Sequence, residues 1–251
     1  AYHGDTIGAM SVCDPEEGMH ALFSGLLPEQ HIVPLPRNDA EFVRFETFLG
    51  EHAKGCAAII IEPLIQGAGG MKMHTPDTLA RIHQAAKHHD LLFIADEIMT
   101  GFGRTGTLFA SEQADIAPDI VTLSKALTGG TMALAATVAT DNIFDAFLSD
   151  DPEAALMHGP TYMASPLACA AAHASLDLFE QEPRLNQVSV IEQHLLRALE
   201  PCRDMTGVVE VRVKGAIGIV QLKNFSEHNQ FKARFIEKGV LPPFIPFWLP
   251  P

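Results

Sequence analysis

Three short apolar runs, Cys56 to Ile61, Leu91 to Ala95 and Ile120 to Leu123, constrain the fold of this chain more than anything else in it. Each is continuous instead of alternating, which is how strands buried on both faces of a parallel sheet read, and each gives way to a polar residue. Between the first two lies Pro76 to Asp90. Thr75 is placed to cap a helix there, Pro76 stands at its first position, and Leu79, Ile82, Ala85 and Ala86 follow at helical spacing. Strand, helix and strand in that order predict a βαβ unit and an α/β fold. Leu134 to Ala139 reads as another buried strand, and Thr140 with Asp141 as the cap of a helix running through Leu148. Pro166 to Glu180 predicts a long helix rich in small residues, suited to a connection leaving the large domain.

The texture then changes. A helix is expected near Leu185 to Leu199, followed by two strand-like runs, VVEVRV and AIGIVQL, split by Lys214-Gly215. A last helix runs from about Glu227 to Lys238 and stops at Gly239. The expected organisation is a large domain over residues 1–175 and a small α+β domain over 176–251. The prolines of the closing LPPFIPFWLPP exclude a helix or a central strand there.

With 251 residues, 47% of them hydrophobic, the chain can bury a sizeable core. A formal net charge of −14 disfavours nucleic acid or an anionic membrane surface as partner, and Ala126 to Thr140 is too short and polar to span a bilayer. Small molecules are the expected partners. Cys13, Cys56, Cys169 and Cys202 form no C-x-x-C pair, so neither a disulfide framework nor a zinc site is expected, and a reducing cytoplasm fits.

In open α/β sheets, ligands sit beyond the carboxyl ends of the strands. Glu62, the pair Asp96-Glu97, and Lys125 stand at those ends here. An acid and a lysine on neighbouring strand ends suit pyridoxal 5'-phosphate, which needs an amine to bind its aldehyde and a carboxylate to keep its ring nitrogen protonated. On spacing alone, an ordinary salt bridge or solvated strand ends explain the same residues. Asp96 to Gly106, however, reads DEIMTGFGRTG, in which three glycines let the backbone turn tightly and Arg104 supplies a fixed positive fork.

Taken with Lys125 in SKALTGG, that string resembles the class III pyridoxal-phosphate aminotransferases. Four separated blocks extend the resemblance over nearly the whole chain: AYHGDTIGAMSVCDP, IIIEPLIQGAGGM, SKALTGGTMALAAT and HGPTYMASPLACAAA. They are most similar to the branch that transfers the amino group of S-adenosylmethionine to 8-amino-7-oxononanoate in biotin synthesis. The resemblance implies a fold type I large domain around a mostly parallel sheet, a small C-terminal domain, and a homodimer. It makes Lys125 the Schiff-base and proton-moving lysine and Asp96 the partner of the ring nitrogen. Tyr2 is implied to stack on the pyridine and to border the substrate, with His3 and Gly4 shaping the wall. Thr161 is implied to reach the cofactor phosphate across the dimer, with Pro160 and Gly159 setting the turn and Gly159 also bordering the substrate. Asp5 is placed to approach the substrate amino group, although a turn or helix cap explains it equally well. No His, Cys and carboxylate cluster has metal spacing. His158 reads as structural, and the pair His88-His89 as solvated surface.

Relatives acting on ornithine carry a glutamate after the Gln-Gly of this string, whereas Ala68 follows Gln66-Gly67 here. Two departures stand against the match. The phosphate-cradling segment that the family carries upstream of the Tyr-His-Gly string is not in the sequence, so an N-terminally incomplete large domain is expected. Where the family has an Ile-Arg-Pro strand whose arginine grips a substrate carboxylate, this chain has Leu241 to Pro246. Ser165, where relatives often carry asparagine, is a lesser change. The rival readings are another class III activity on ω-amino acids or diamines, and a non-catalytic remnant.

Overall fold

The computed structural model describes residues 1–15, 19–23, 25–223 and 228–240. The Leu241 to Pro246 departure lies outside them. In chain order, α1 (Ile7–Ser11) and α2 (Asp39–His52) precede β1 (Ala58–Ile61), and β2 (Ile65–Gln66) pairs with β3 (Lys72–Met73) in a small ribbon. Next come α3 (Pro76–His88), β4 (Leu92–Asp96), β5 (Ile120–Leu123), β6 (Ala136–Ala139) and α4 (Asp141–Asp145). The helices α5 (Pro166–Gln181) and α6 (Arg184–Leu199), the strands β7 (Val208–Lys214) and β8 (Ile217–Leu222), and α7 (His228–Glu237) complete the described elements.

The chain divides into two compact units that are not sequential. One gathers Ala1–Ile32, Gln66–Lys72 and Val190–Pro251; the other gathers Val33–Ile65 and Met73–Ser189. The second holds a four-stranded sheet in the order β1-β4-β5-β6. β1, β4 and β5 run parallel, as the three apolar runs imply, and β6 pairs antiparallel with β5. The expected buried strand at Leu134 to Ala139 is corrected on this point. β6 is an edge strand of the described sheet, and its residues beyond Ala136 are exposed. An apolar run specifies a strand but neither its direction nor its place in the sheet.

The βαβ unit is stabilised as its sequence predicts. Thr75 Oγ1 accepts from Thr78 N at 3.1 Å, and Pro76 occupies the first turn. Leu79, Ile82, Ala85 and Ala86 are all buried, and covering a Leu or Ile side chain contributes about 1.5–3 kcal/mol. The helix ends in a Schellman turn: Leu91 N donates to Ala86 O at 2.9 Å and Asp90 N to Lys87 O at 3.3 Å. Asp90 holds the left-handed position usually given to glycine, with φ 58°.

After β1 the chain turns sharply through Glu62, Pro63 and Leu64. Leu64 is fully buried yet sits at φ 62°. His74 holds this turn twice, accepting from Leu64 N on Nε2 at 2.9 Å and donating its own N–H to Leu64 O at 3.0 Å. Burial lowers its pKa to about 4, so the ring stays neutral and Nε2 remains an acceptor.

In the other unit, β7 and β8 form the expected antiparallel hairpin, turning at Gly215. The Gly215 N–H donates to Glu192 Oε1 of α6 at 2.8 Å. Gly218 lets the hairpin approach α6 closely, since a Cβ there would lie 2.7 Å from Leu199 Cδ1. The helix expected after Thr140 is short, ending at Asp145, and Thr140 makes no side-chain cap bond. His89 is not merely solvated: its Nε2 lies 3.2 Å from Glu46 Oε2. Among the described residues, no helix is long and apolar enough to cross a membrane.

Candidate active site

The parallel register pairs Ile94 with Ile120, Ala95 with Val121 and Asp96 with Thr122. Asp96 and Lys125, which lies three residues past Thr122, therefore leave the sheet at the same edge, the carboxyl ends of adjacent strands. Asp96 is buried. Its Oδ1 accepts from Ile98 N at 3.1 Å and from Thr122 Oγ1 at 3.3 Å, which fixes the carboxylate from its own strand and from its neighbour.

Lys125 opens a 3₁₀ turn, Lys125–Thr128, at φ 47°. A left-handed non-glycine residue costs about 1–2 kcal/mol, so the surrounding structure must hold it. Three side chains do so. Ser124 Oγ donates to Leu134 O at 2.7 Å, Ser175 Oγ of α5 to Ala126 O at 3.1 Å, and Thr128 Oγ1 to Met132 O at 2.6 Å. Below them, Leu127 packs with Leu123, Phe102 and Ala172 in one buried cluster. The side chain of Lys125 is nonetheless exposed, and among the described residues its amine makes no ion pair. Among the described residues the salt bridge is therefore not formed, whereas the exposed amine is what a solvated strand end also expects.

The Gly-Arg loop is closely packed. A Cβ at Gly101 would meet Glu97 O at 2.8 Å, and one at Gly103 would meet Leu185 and Phe179. Arg104 itself is exposed. Next to Asp96, the carboxylate of Glu97 is fully buried among the hydroxyls of Thr100 and Ser111 and the amides of Ala110 and Ser111.

In the other unit, the N-terminal string brings Tyr2 and Asp5 together. The Tyr2 hydroxyl donates to Asp5 Oδ1 at 2.7 Å. Burial, the hydrogen bond to Asp5 and the Asp5 charge together push the phenol up to about 12, so it stays a donor at any physiological pH. Asp5 caps no helix, because the N-cap of α1 is Thr6, and the capping alternative is removed. His3 N donates to Cys13 Sγ at 3.1 Å, and Gly4 sits at φ 140°, a conformation that side chains rarely adopt, where a Cβ would lie a tight 3.2 Å from that of Ala9. His20, which the sequence did not single out, is buried and stacks on Tyr2 with ring centroids 5.9 Å apart, its Nε2 lying 3.6 Å from Asp5 Oδ1. Seventeen intervening residues hide that contact from any local pattern.

Gly159, Pro160 and Thr161 are all exposed, in a turn closed by Met163 N donating to Pro160 O at 2.9 Å. His158 beside them is exposed, and Ser165 at the start of α5 makes no side-chain cap bond. Among the described residues no cluster of three His, Cys, Asp or Glu is arranged to hold a metal ion.

The chain is 44% identical over 95% of its length to adenosylmethionine-8-amino-7-oxononanoate aminotransferase of Corynebacterium glutamicum, covering 58% of that protein. It is 36% identical to the yeast enzyme of the same name from Saccharomyces cerevisiae, again over 95% of this chain and 58% of that one. The chain thus spans little more than half the length of the curated relatives it matches. Among solved structures, the enzyme of that name from Methanocaldococcus jannaschii superposes with a TM-score of 0.86 at 33% identity, over 95% of this chain and 58% of that one. Ornithine aminotransferase from Toxoplasma gondii superposes with a TM-score of 0.78 at 27% identity, over 96% and 54%. The fold is therefore the α/β architecture of fold type I. The description "Aminotransferase class-III" matches residues 1–244, and the chain belongs to that family.

Proposed function

We infer that this chain carries the cofactor-holding part of an aminotransferase that moves the amino group of S-adenosylmethionine onto 8-amino-7-oxononanoate, in biotin synthesis. The observation that carries the reading is the parallel register that sets Asp96 and Lys125 at one edge of the sheet, one a buried, doubly hydrogen-bonded carboxylate and the other an amine with no ion-pair partner among the described residues. Those two groups fit pyridoxal 5'-phosphate, the cofactor of this family and one named at the active site of the Toxoplasma enzyme. When bound, it supplies an electron sink that lets a C–H bond beside the amino nitrogen ionise.

The chain's own residues do the rest. Asp96 holds the proton on the ring nitrogen, and its two donors keep its carboxylate aimed. Lys125 would hold the cofactor through its amine and, when that amine is free, would carry a proton to and from the substrate carbon. Tyr2 would offer an aromatic face to a flat ring, with His3 and Gly4 shaping the wall beside it. Asp5, already accepting from the Tyr2 hydroxyl, can accept a second hydrogen from a substrate amino group. Gly159 borders the substrate, and Thr161, with Pro160, supplies a hydroxyl for the phosphate of a second copy.

That last role makes the protein a homodimer. Leu156, Met157, Tyr162 and Leu167 around the turn are 64%, 85%, 87% and 74% exposed, an apolar surface that a partner copy would cover. The organisation into a large domain over 1–175 and a small one over 176–251, and a cytoplasmic location, are part of the same reading.

A second reading is favoured by the likeness to ornithine and omega transaminases, at 27% and 30% identity. Ala68 after Gln66-Gly67 speaks against it. Single-turnover reactions decide: S-adenosylmethionine should remove the visible absorbance of the loaded full-length protein. Failure with S-adenosylmethionine and success with a simple diamine would overturn the substrate assignment.

A further inference from the structure

Glu97 takes no part in the roles given above, yet its carboxylate is fully satisfied. It is fully buried, and its two oxygens each accept two hydrogen bonds. Oε1 takes Ser111 N at 2.8 Å and Ser111 Oγ at 2.7 Å; Oε2 takes Thr100 Oγ1 at 2.6 Å and Ala110 N at 3.0 Å. Four donors fill the lone-pair sites of an ionised carboxylate, and no neutral side chain of that shape accepts so many. The backbone of Glu97 is equally committed: its N–H donates to Thr122 O at 3.0 Å and its carbonyl accepts from Gly101 N at 2.9 Å.

This cage closes the Gly-Arg loop, since Thr100 and Ala110-Ser111 lie on either side of it. It also immobilises the peptide between Glu97 and Ile98, whose N–H donates to Asp96 Oδ1. Thr122 completes the link, because its carbonyl receives Glu97 N while its hydroxyl donates to Asp96.

Resting on the reading of Asp96 given above, we propose that Glu97 is a positioning residue that aims the Asp96 carboxylate by clamping the loop that follows it. Glu97→Gln keeps the shape but presents an amide to donors, leaving two of the four without an acceptor. Ser111→Ala removes one hydroxyl donor and tests the same clamp should the first variant not fold.

Two readouts on the full-length protein separate positioning from mere structure. The first is amide hydrogen exchange of the cofactor-free protein, in which Ala110 and Ser111 should exchange roughly tenfold faster or more in Glu97→Gln, and less markedly faster in Ser111→Ala. The second is the pH midpoint of the visible absorbance of the loaded protein, with Asp96→Asn as reference. Glu97→Gln should shift it in the same direction as Asp96→Asn, by less. Faster exchange with an unmoved midpoint in both clamp variants overturns the proposal, leaving Glu97 a structural buckle. An unmoved midpoint in Asp96→Asn overturns the reading of Asp96, and the proposal with it.

Discussion

Acidification should loosen the turn after β1, and the size of the effect follows from His74. The ordinary imidazole pKa of 6.5 falls to about 4 in the fold because the ring is buried. The difference is about 2.5 pH units, and at about 1.4 kcal/mol per unit it is worth roughly 3 kcal/mol, an upper figure for a ring that is not wholly enclosed. The sign is fixed by proton counting. Between pH 6.5 and 4 the unfolded chain carries the proton and the fold does not, so stability rises with pH across that window. The contribution is complete above about pH 6.5, drains away as pH falls towards 4, and changes no further below it. His83, whose pKa burial and the charge of Lys87 also lower, adds to the same trend, so the effect must be isolated by substitution. His74→Gln offers an amide oxygen to Leu64 N and does not titrate. Urea unfolding of both proteins across the window, plotted as a difference, should show wild type losing up to about 3 kcal/mol relative to the variant. Parallel pH profiles would refute the reasoning.

Three smaller perturbations follow from local geometry. Thr75→Ala removes the acceptor for Thr78 N and should cost about 1 kcal/mol in urea unfolding without altering the fold. Gly101→Ala drives a Cβ to 2.8 Å from the Glu97 carbonyl, which is backbone and cannot rotate away, so a loss of about 1–3 kcal/mol is expected by thermal unfolding. Tyr2→Phe keeps the aromatic face and removes the hydroxyl that Asp5 accepts; substrate KM should change by about tenfold, the equivalent of a charged hydrogen bond near 1.5 kcal/mol, while cofactor affinity changes little.

Much of the fold was legible because the signals were local. The runs ending at Ile61, Ala95 and Leu123 became parallel strands, and Thr75-Pro76 started the helix between the first two. α2 has local signals too. Asn38 accepts from Glu41 N, Glu41 accepts from Arg37 N, and Phe42, Phe45 and Leu49 follow at helical spacing, a capping pattern present in the sequence itself. The antiparallel direction of β6 had no such signal, since it depends on how the chain returns to the sheet. In the site, Asp96 and Lys125 were marked by position and motif. The cage around Glu97 and the stacking of His20 on Tyr2 close over 13 or more residues, where only the folded chain reveals the partner.

Lys125 is the amine proposed to bind pyridoxal 5'-phosphate. The full-length protein should be loaded with the cofactor, reduced with borohydride, digested and mapped by mass spectrometry. A phosphopyridoxyl mass is expected on the peptide containing Lys125, and its loss together with turnover in Lys125→Ala while the fold persists by circular dichroism. Label on another lysine, or turnover surviving in Lys125→Ala, would contradict it.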